Sequence, residues 1–149
     1  MLREETIIVA SDSSLWPGPD VPEGGAQITA IVDDEGRYWQ RLSAAKAMLT
    51  DQLNTAVEAH IGLCATPEVQ QIMALSGARL SRKATLDSSE QAKLEAIDTV
   101  ESWILSVRQA GLVISAALQT ATTADALNVV DDPLPPLPDP AVTALAATP

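Results

Sequence analysis

The chain has 149 residues and a net charge of −11 at pH 7, and its hydrophobic fraction of 46% includes no Phe, one Tyr and three Trp. With aromatics this scarce, a core of Ala, Leu, Ile and Val suits close helix–helix contact better than a thick globular interior. The acidic balance argues against nucleic acid and anionic membranes, whose phosphates need Lys and Arg clusters, and the single cysteine, Cys64, rules out an intrachain disulfide and a thiolate-rich zinc site.

The start, MLREE, is acidic where a secretory leader needs a basic segment, and TIIVA is too short for its apolar stretch. The expectation is synthesis in the cytoplasm. Thr6-Ile7-Ile8-Val9 is a short β-type run. Residues 15–25, LWPGPDVPEGG, hold three prolines and three glycines and form a loop or extended arm. Trp16 in that arm is a candidate anchor for a partner surface, or packs back on its own helices. Gln27 to Val32 alternates and is rich in β-branched residues. Asp33-Asp34-Glu35-Gly36 then makes an acidic turn, and Arg37-Tyr38-Trp39 reads as the return strand of a small hairpin. The DDEG turn lacks the alternating spacing and later Glu of a calcium loop, so it reads as solvated.

From about Trp39 to Ile61 the positions Leu42, Ala45, Leu49, Leu53, Ala56 and His60 recur at helical steps, and Gly62 is a natural stop. His60 ends that stripe. With no carboxylate or second His within helical reach, it reads as a hydrogen-bonded structural histidine rather than a reactive one. Thr66-Pro67-Glu68 is a helix start, with a capping hydroxyl and Pro in the first turn. That helix uses Val69, Ile72 and Met73 and is expected to loosen near Ser76 and Gly77. Arg79 to Lys83 contains the only basic cluster and reads as a solvated connector.

The longest pattern runs from Leu86 to Ala121. Ile97, Val100, Ile104, Val107, Gly111, Ile114 and Leu118 fall at alternating steps of three and four, a heptad seam for helix burial. Asp87 with Glu90 three residues on forms an acidic capping box at its start. Gly111 lies on the seam, either as a kink or as the level where another backbone approaches closely. Trp103 stands beside the seam. Residues 1–85 carry 11 acids and 7 bases, net −4, whereas residues 86–149 carry 9 acids and 2 bases, net −7. The last base is Arg108, and the uncharged run Gln109 to Ala124 is too short and too polar to span a membrane. The seam is therefore the candidate partner-binding surface, with its bare end, Gly111 to Ala121, the part expected to be covered.

Ala124 to Val130 is a short apolar run, strand or helix end. Five prolines follow within residues 133–140, which forbids helix there and favours polyproline II. Leu134 and Leu137 in this segment join Trp16 as candidate arm contacts to a partner. The last nine residues are Ala-rich and carry little signal.

No GxGxxG, P-loop, GxSxG or HExxH motif is present. His60 and Cys64 are four apart with Gly62 between them and nothing to orient the ring. The expectation is a non-catalytic chain with no cofactor and no metal. The fold class expected is mainly α: a long helical hairpin or coiled-coil-like bundle (39–121), a small N-terminal strand-and-hairpin region (1–38) and an extended Pro-rich tail (122–149).

Residues 86–140 also resemble a family. An acid-capped helix runs from Ser88-Ser89-Glu90 through Glu101-Ser102-Trp103-Ile104 to Val107-Arg108, and the chain closes on Leu134-Pro135-Pro136-Leu137-Pro138. This layout resembles small tail-fibre assembly and tail-accessory proteins of tailed bacteriophages. The Trp–Arg spacing and the aromatic usual ahead of the prolines are not reproduced. The resemblance implies a structural role in the virion, at the baseplate or fibre attachment, with other tail or fibre proteins as partners in a homo- or hetero-oligomer. A fibre-assembly chaperone and a coiled-coil adaptor unrelated to phage are the alternatives.

Overall fold

The computed structural model describes residues 1–9, 26–32, 38–39 and 42–149, with side chains described at 1–6 and 45–149. The arm at 15–25 with Trp16, and the acidic turn at 33–36, lie outside the described residues. What is described is mainly helical. In chain order come β1 (Arg3–Val9), β2 (Ala26–Val32), β3 (Tyr38–Trp39), α1 (Leu42–Gly62), α2 (Pro67–Leu80), α3 (Ser88–Thr120), a 3-10 helix (Asp125–Asp131) and α4 (Pro140–Ala146).

The strands form one antiparallel sheet in the order β1-β2-β3. β1 pairs with β2 from Arg3 opposite Val32 to Val9 opposite Ala26, and Ile31 faces Trp39 on β3. The β-branched run at 6–9 thus extends back to Arg3, whose guanidinium meets the Glu5 carboxylate at 3.3 Å, both well exposed. Residues i and i+2 share a strand face, which brings that pair together.

The chain divides into two compact units, residues 1–53 with 114–132, and residues 54–113 with 133–149. In the first, Leu49 and Leu53 of α1, Ile114 and Leu118 of α3, and Leu127 of the 3-10 helix are buried. Leu2 is buried with them, and the Asn128 side chain satisfies its backbone on both sides. Leu2 N–H donates to Asn128 Oδ1 at 2.7 Å, and Asn128 Nδ2 donates to the Leu2 carbonyl at 3.3 Å. Lys46 Nζ donates to the Gln119 carbonyl at 2.8 Å, supplying one of the partners that the last turn of a helix lacks.

In the second unit, Val57, Ile61, Met73, Leu80, Ile97, Val100, Ile104 and Val107 are buried. α2 starts as its sequence demands, with Val69 N–H donating to Thr66 Oγ1 and Pro67 in the first turn. It does not loosen at Ser76 and Gly77, however, but continues to Leu80. Met73, Ser76 and Leu80 are all buried, and that burial outweighs the ~1 kcal/mol by which Gly disfavours helix. A Cβ at Gly77 would lie 3.7 Å from Ile97 Cγ2, an ordinary contact. The basic connector is partly tied down, because Lys83 Nζ pairs with the Glu90 carboxylate.

α3 opens on the capping box. Asp87 Oδ1 accepts from Ser89 N–H and Glu90 N–H, both at 2.9 Å, while Asp87 N–H donates to Glu90 Oε2 at 3.3 Å. The Lys83 ammonium, and then the backbone N–H of Asp87, hold the Glu90 carboxyl below the usual carboxylate range. The Ala-rich end also folds. Asp139 Oδ1 accepts from Ala141 N–H at 2.7 Å, Pro140 sits in the first turn, and α4 follows with Ala146 buried. Residues 122–149, expected as one extended tail, thus carry the 3-10 helix and α4, with 133–139 between them taking neither helix nor strand. Asp139-Pro140 repeats the helix-start pattern of Thr66-Pro67, which overrides the polyproline tendency there.

Candidate interaction site

The seam is an internal surface. Ile97, Val100, Ile104, Val107, Ile114 and Leu118 are each 6% exposed or less, and Gly111 is buried too. In the second unit three contacts tie α3 to α1. Val57 packs at Gly111, the Arg108 guanidinium lies 3.8 Å from the Glu58 carboxylate, and the His60 and Trp103 rings have centroids 5.7 Å apart at 46°. The numbering rises on α1 as it falls on α3, so these two segments run antiparallel. The Arg108–Glu58 pair is exposed and contributes little.

Gly111 answers a steric demand. A Cβ there would sit 2.8 Å from Val57 Cγ2, closer than real Cβ atoms come to a neighbour. The close approach expected at this level is made by a side chain of the same chain. α3 passes through Gly111 without a break.

With the seam covered, two features among the described residues stand out for recognition, the Pro-rich segment and the outer side of α3. Residues 133–139 take neither helix nor strand. Asp132 just before the segment and Asp139 at its end hold φ −61°, ψ 135° and φ −55°, ψ 128°, near polyproline II values. Trp103 Nε1–H donates to the Pro136 carbonyl at 2.8 Å, and His60 Nε2 lies 2.8 Å from the Pro135 carbonyl. A carbonyl only accepts, so Nε2 carries the proton in that bond. Trp103 is 8% exposed. Leu134 is half-buried and Leu137 is 48% exposed. The segment is therefore held through its carbonyls, with one of its two leucines facing outward.

The outer side of α3 carries Leu105 and Leu112, each 65% exposed, and Val113, 60% exposed. Leu105 and Leu112 are seven residues apart, so they lie along one face of the helix. A groove of roughly 220 Å³ adjoins Leu105, lined also by Gln70, Met73, Glu101, Ile104 and Arg108. A second, of about 240 Å³, is lined by Ile72, Leu75, Ser76, Arg79 and Pro149. The sequence pattern pointed to the inner stripe of α3 and missed the outer one, because three apolar positions among many polar ones leave no sustained period.

Among the described residues no group of three or more His, Cys, Asp or Glu is placed to hold a metal ion. No helix among them is long and apolar enough to cross a membrane. Cys64 is a free, partly exposed thiol. No family model matches the chain, and no similar curated protein or solved structure was found.

Proposed function

We propose that this chain is a non-catalytic assembly protein that works by docking a helix face and by lending extended segments to its neighbours. The observation that carries the reading is the outer side of α3, where Leu105, Leu112 and Val113 stand exposed on a helix whose inner seam the chain itself covers. Large exposed apolar side chains grouped on one face mark interaction surfaces. In this reading α1 and α3 form a long helical hairpin, the seam holds it together, and the docking role moves from the seam to the opposite face.

The narrower proposal is a structural protein of a bacteriophage tail, at the baseplate or tail-fibre attachment, made in the host cytoplasm and carried in the virion. The layout of residues 86–140 supports it. A fibre-assembly chaperone uses the same face but leaves before the particle matures, and a coiled-coil adaptor needs no phage at all. Mass spectrometry of purified particles separates these. A structural component is present at a fixed copy number, a chaperone appears only in lysates, and absence from both in an infected culture overturns the phage assignment. Leu105→Asp with Leu112→Asp is expected to abolish incorporation while circular dichroism stays that of the parent. Undiminished incorporation would sink the docking face.

A further inference from the structure

A proline-rich strand is hard to recognise because its prolines have no N–H to offer. Its carbonyls are its hydrogen-bonding groups, and whatever reads it must supply donors. Here two donors do so at successive residues, His60 at Pro135 and Trp103 at Pro136, each at 2.8 Å. In polyproline II, with three residues per turn, successive carbonyls point about 120° apart. Donors to two of them in a row must come from different directions, and here they come from two elements, α1 and α3. The rings are set against each other, with centroids 5.7 Å apart. The indole is almost wholly buried, so packing holds the donor in place.

The occupant is less committed than the site. Pro136 is exposed and Leu137 is 48% exposed, while Leu134, Pro135 and Pro138 are only half-buried. Among the described residues the segment is held by two side-chain hydrogen bonds and has no fully buried side chain of its own, so it opens before the fold around it. Beyond it, α4 is anchored through Ala146, and Lys93 Nζ donates to the Pro149 carbonyl at 3.1 Å.

We propose that His60 and Trp103 form a binding site for an extended proline-rich segment, filled within the chain by residues 133–138, and that it accepts the same segment from a second copy. The second copy is the occupant because its residues 133–149 reproduce every contact just described. Exchange then keeps the contacts of 133–149 and redirects the backbone only at the junction of Asp132 and Pro133, a low-cost route to a dimer. The proposal deepens the arm-lending role and rests on it. It is tested on the purified chain alone, so its failure is distinct from failure of the phage assignment.

The test pairs two full-length variants. Pro135→Gly with Pro136→Gly leaves the site intact and removes the stiffness of the segment. His60→Ala with Trp103→Phe keeps the segment and removes both donors. The first chain is labelled with ¹⁵N and its Trp103 indole N–H resonance is followed while the second, unlabelled, is added. The expected result is a saturable return of that resonance to its position in the parent chain, with a 1:1 complex of twice the monomer mass in sedimentation. Where the double variant fails to fold, His60→Ala alone serves as the donor of the segment. A resonance that stays put, with both chains monomeric, overturns the proposal. So does a resonance that moves only with a synthetic peptide of residues 131–139, which would show that the site takes the free segment but not the one carried by a second full-length copy.

Discussion

Gly111 and Val57 show how one missing methyl group sets a helix–helix distance. Ala at 111 recovers about 1 kcal/mol of helix propensity. It also forces a methyl group to 2.8 Å from Val57 Cγ2, and Val57 is buried on a β-branched stem that cannot swing away. Overpacking of that kind costs about 1–3 kcal/mol, so Gly111→Ala is expected to destabilise the fold in urea unfolding. In a Val57→Ala background the clash is gone, and the same substitution should stabilise by up to about 1 kcal/mol. A destabilisation of equal size in both backgrounds would show that Val57 is not the obstacle. Glu90 offers a second test at this scale. Lys83 and the Asp87 backbone hold its folded-state pKa below the ordinary value. Its contribution is therefore present above the unfolded carboxylate pKa and is lost as pH falls through the lowered folded value. Glu90→Gln should lower the melting temperature at neutral pH, and the difference from the parent should close in acid. A difference that persists in acid would show that the charge is not what Lys83 and Asp87 recognise.

The helices of this chain start where their caps put them. Asp87 satisfies two N–H groups of α3 and Asp139 one of α4. Asp87→Ala is expected to cost about 1 kcal/mol, read as a lower urea midpoint at unchanged slope. The two sides of α3 make a sharper contrast. Ile104 is 6% exposed and its neighbour Leu105 is 65% exposed. Ile104→Asp places an unpaired charge in the interior, a change in the severe class of several kcal/mol. Leu105→Asp places the same group in water and should leave stability within about 0.5 kcal/mol of the parent. Equal losses from the two substitutions would mean that the outer side is as covered as the seam. The extension of α2 past Gly77 belongs to this scale as well. Glycine there reads as a stop only while Ser76 and Leu80 are not known to be buried.

For the molecule as a whole, a charge of −11 at pH 7 and a sequence pI near 4.2 oppose non-specific clumping at neutral pH, which a specific exchange of segments has to overcome. Turbidity should rise as pH approaches 4.2, because repulsion vanishes there while Leu105, Leu112 and Val113 remain exposed. Clear solutions of the parent chain at that pH would argue that the outer face is not adhesive. The mainly helical class of the chain is legible in its sequence. Seven seam positions, the capping box at Asp87, the Thr66-Pro67 start and the β-branched runs are local signals, because periodicity and capping act within a turn or two of the chain. What the sequence could not contain is which surface covers which. The seam was equally suited to a partner chain and to the chain itself, and the tertiary structure buries it internally. His60 looked like the end of a stripe and Trp103 like the edge of a seam. They became a pair of donors to Pro135 and Pro136 only because folding brought together residues 75 and 33 positions apart. A hydrogen bond to a backbone carbonyl asks nothing of the side chain on the accepting residue. It therefore leaves no pattern of residue types to read, and only the folded chain decides where it forms.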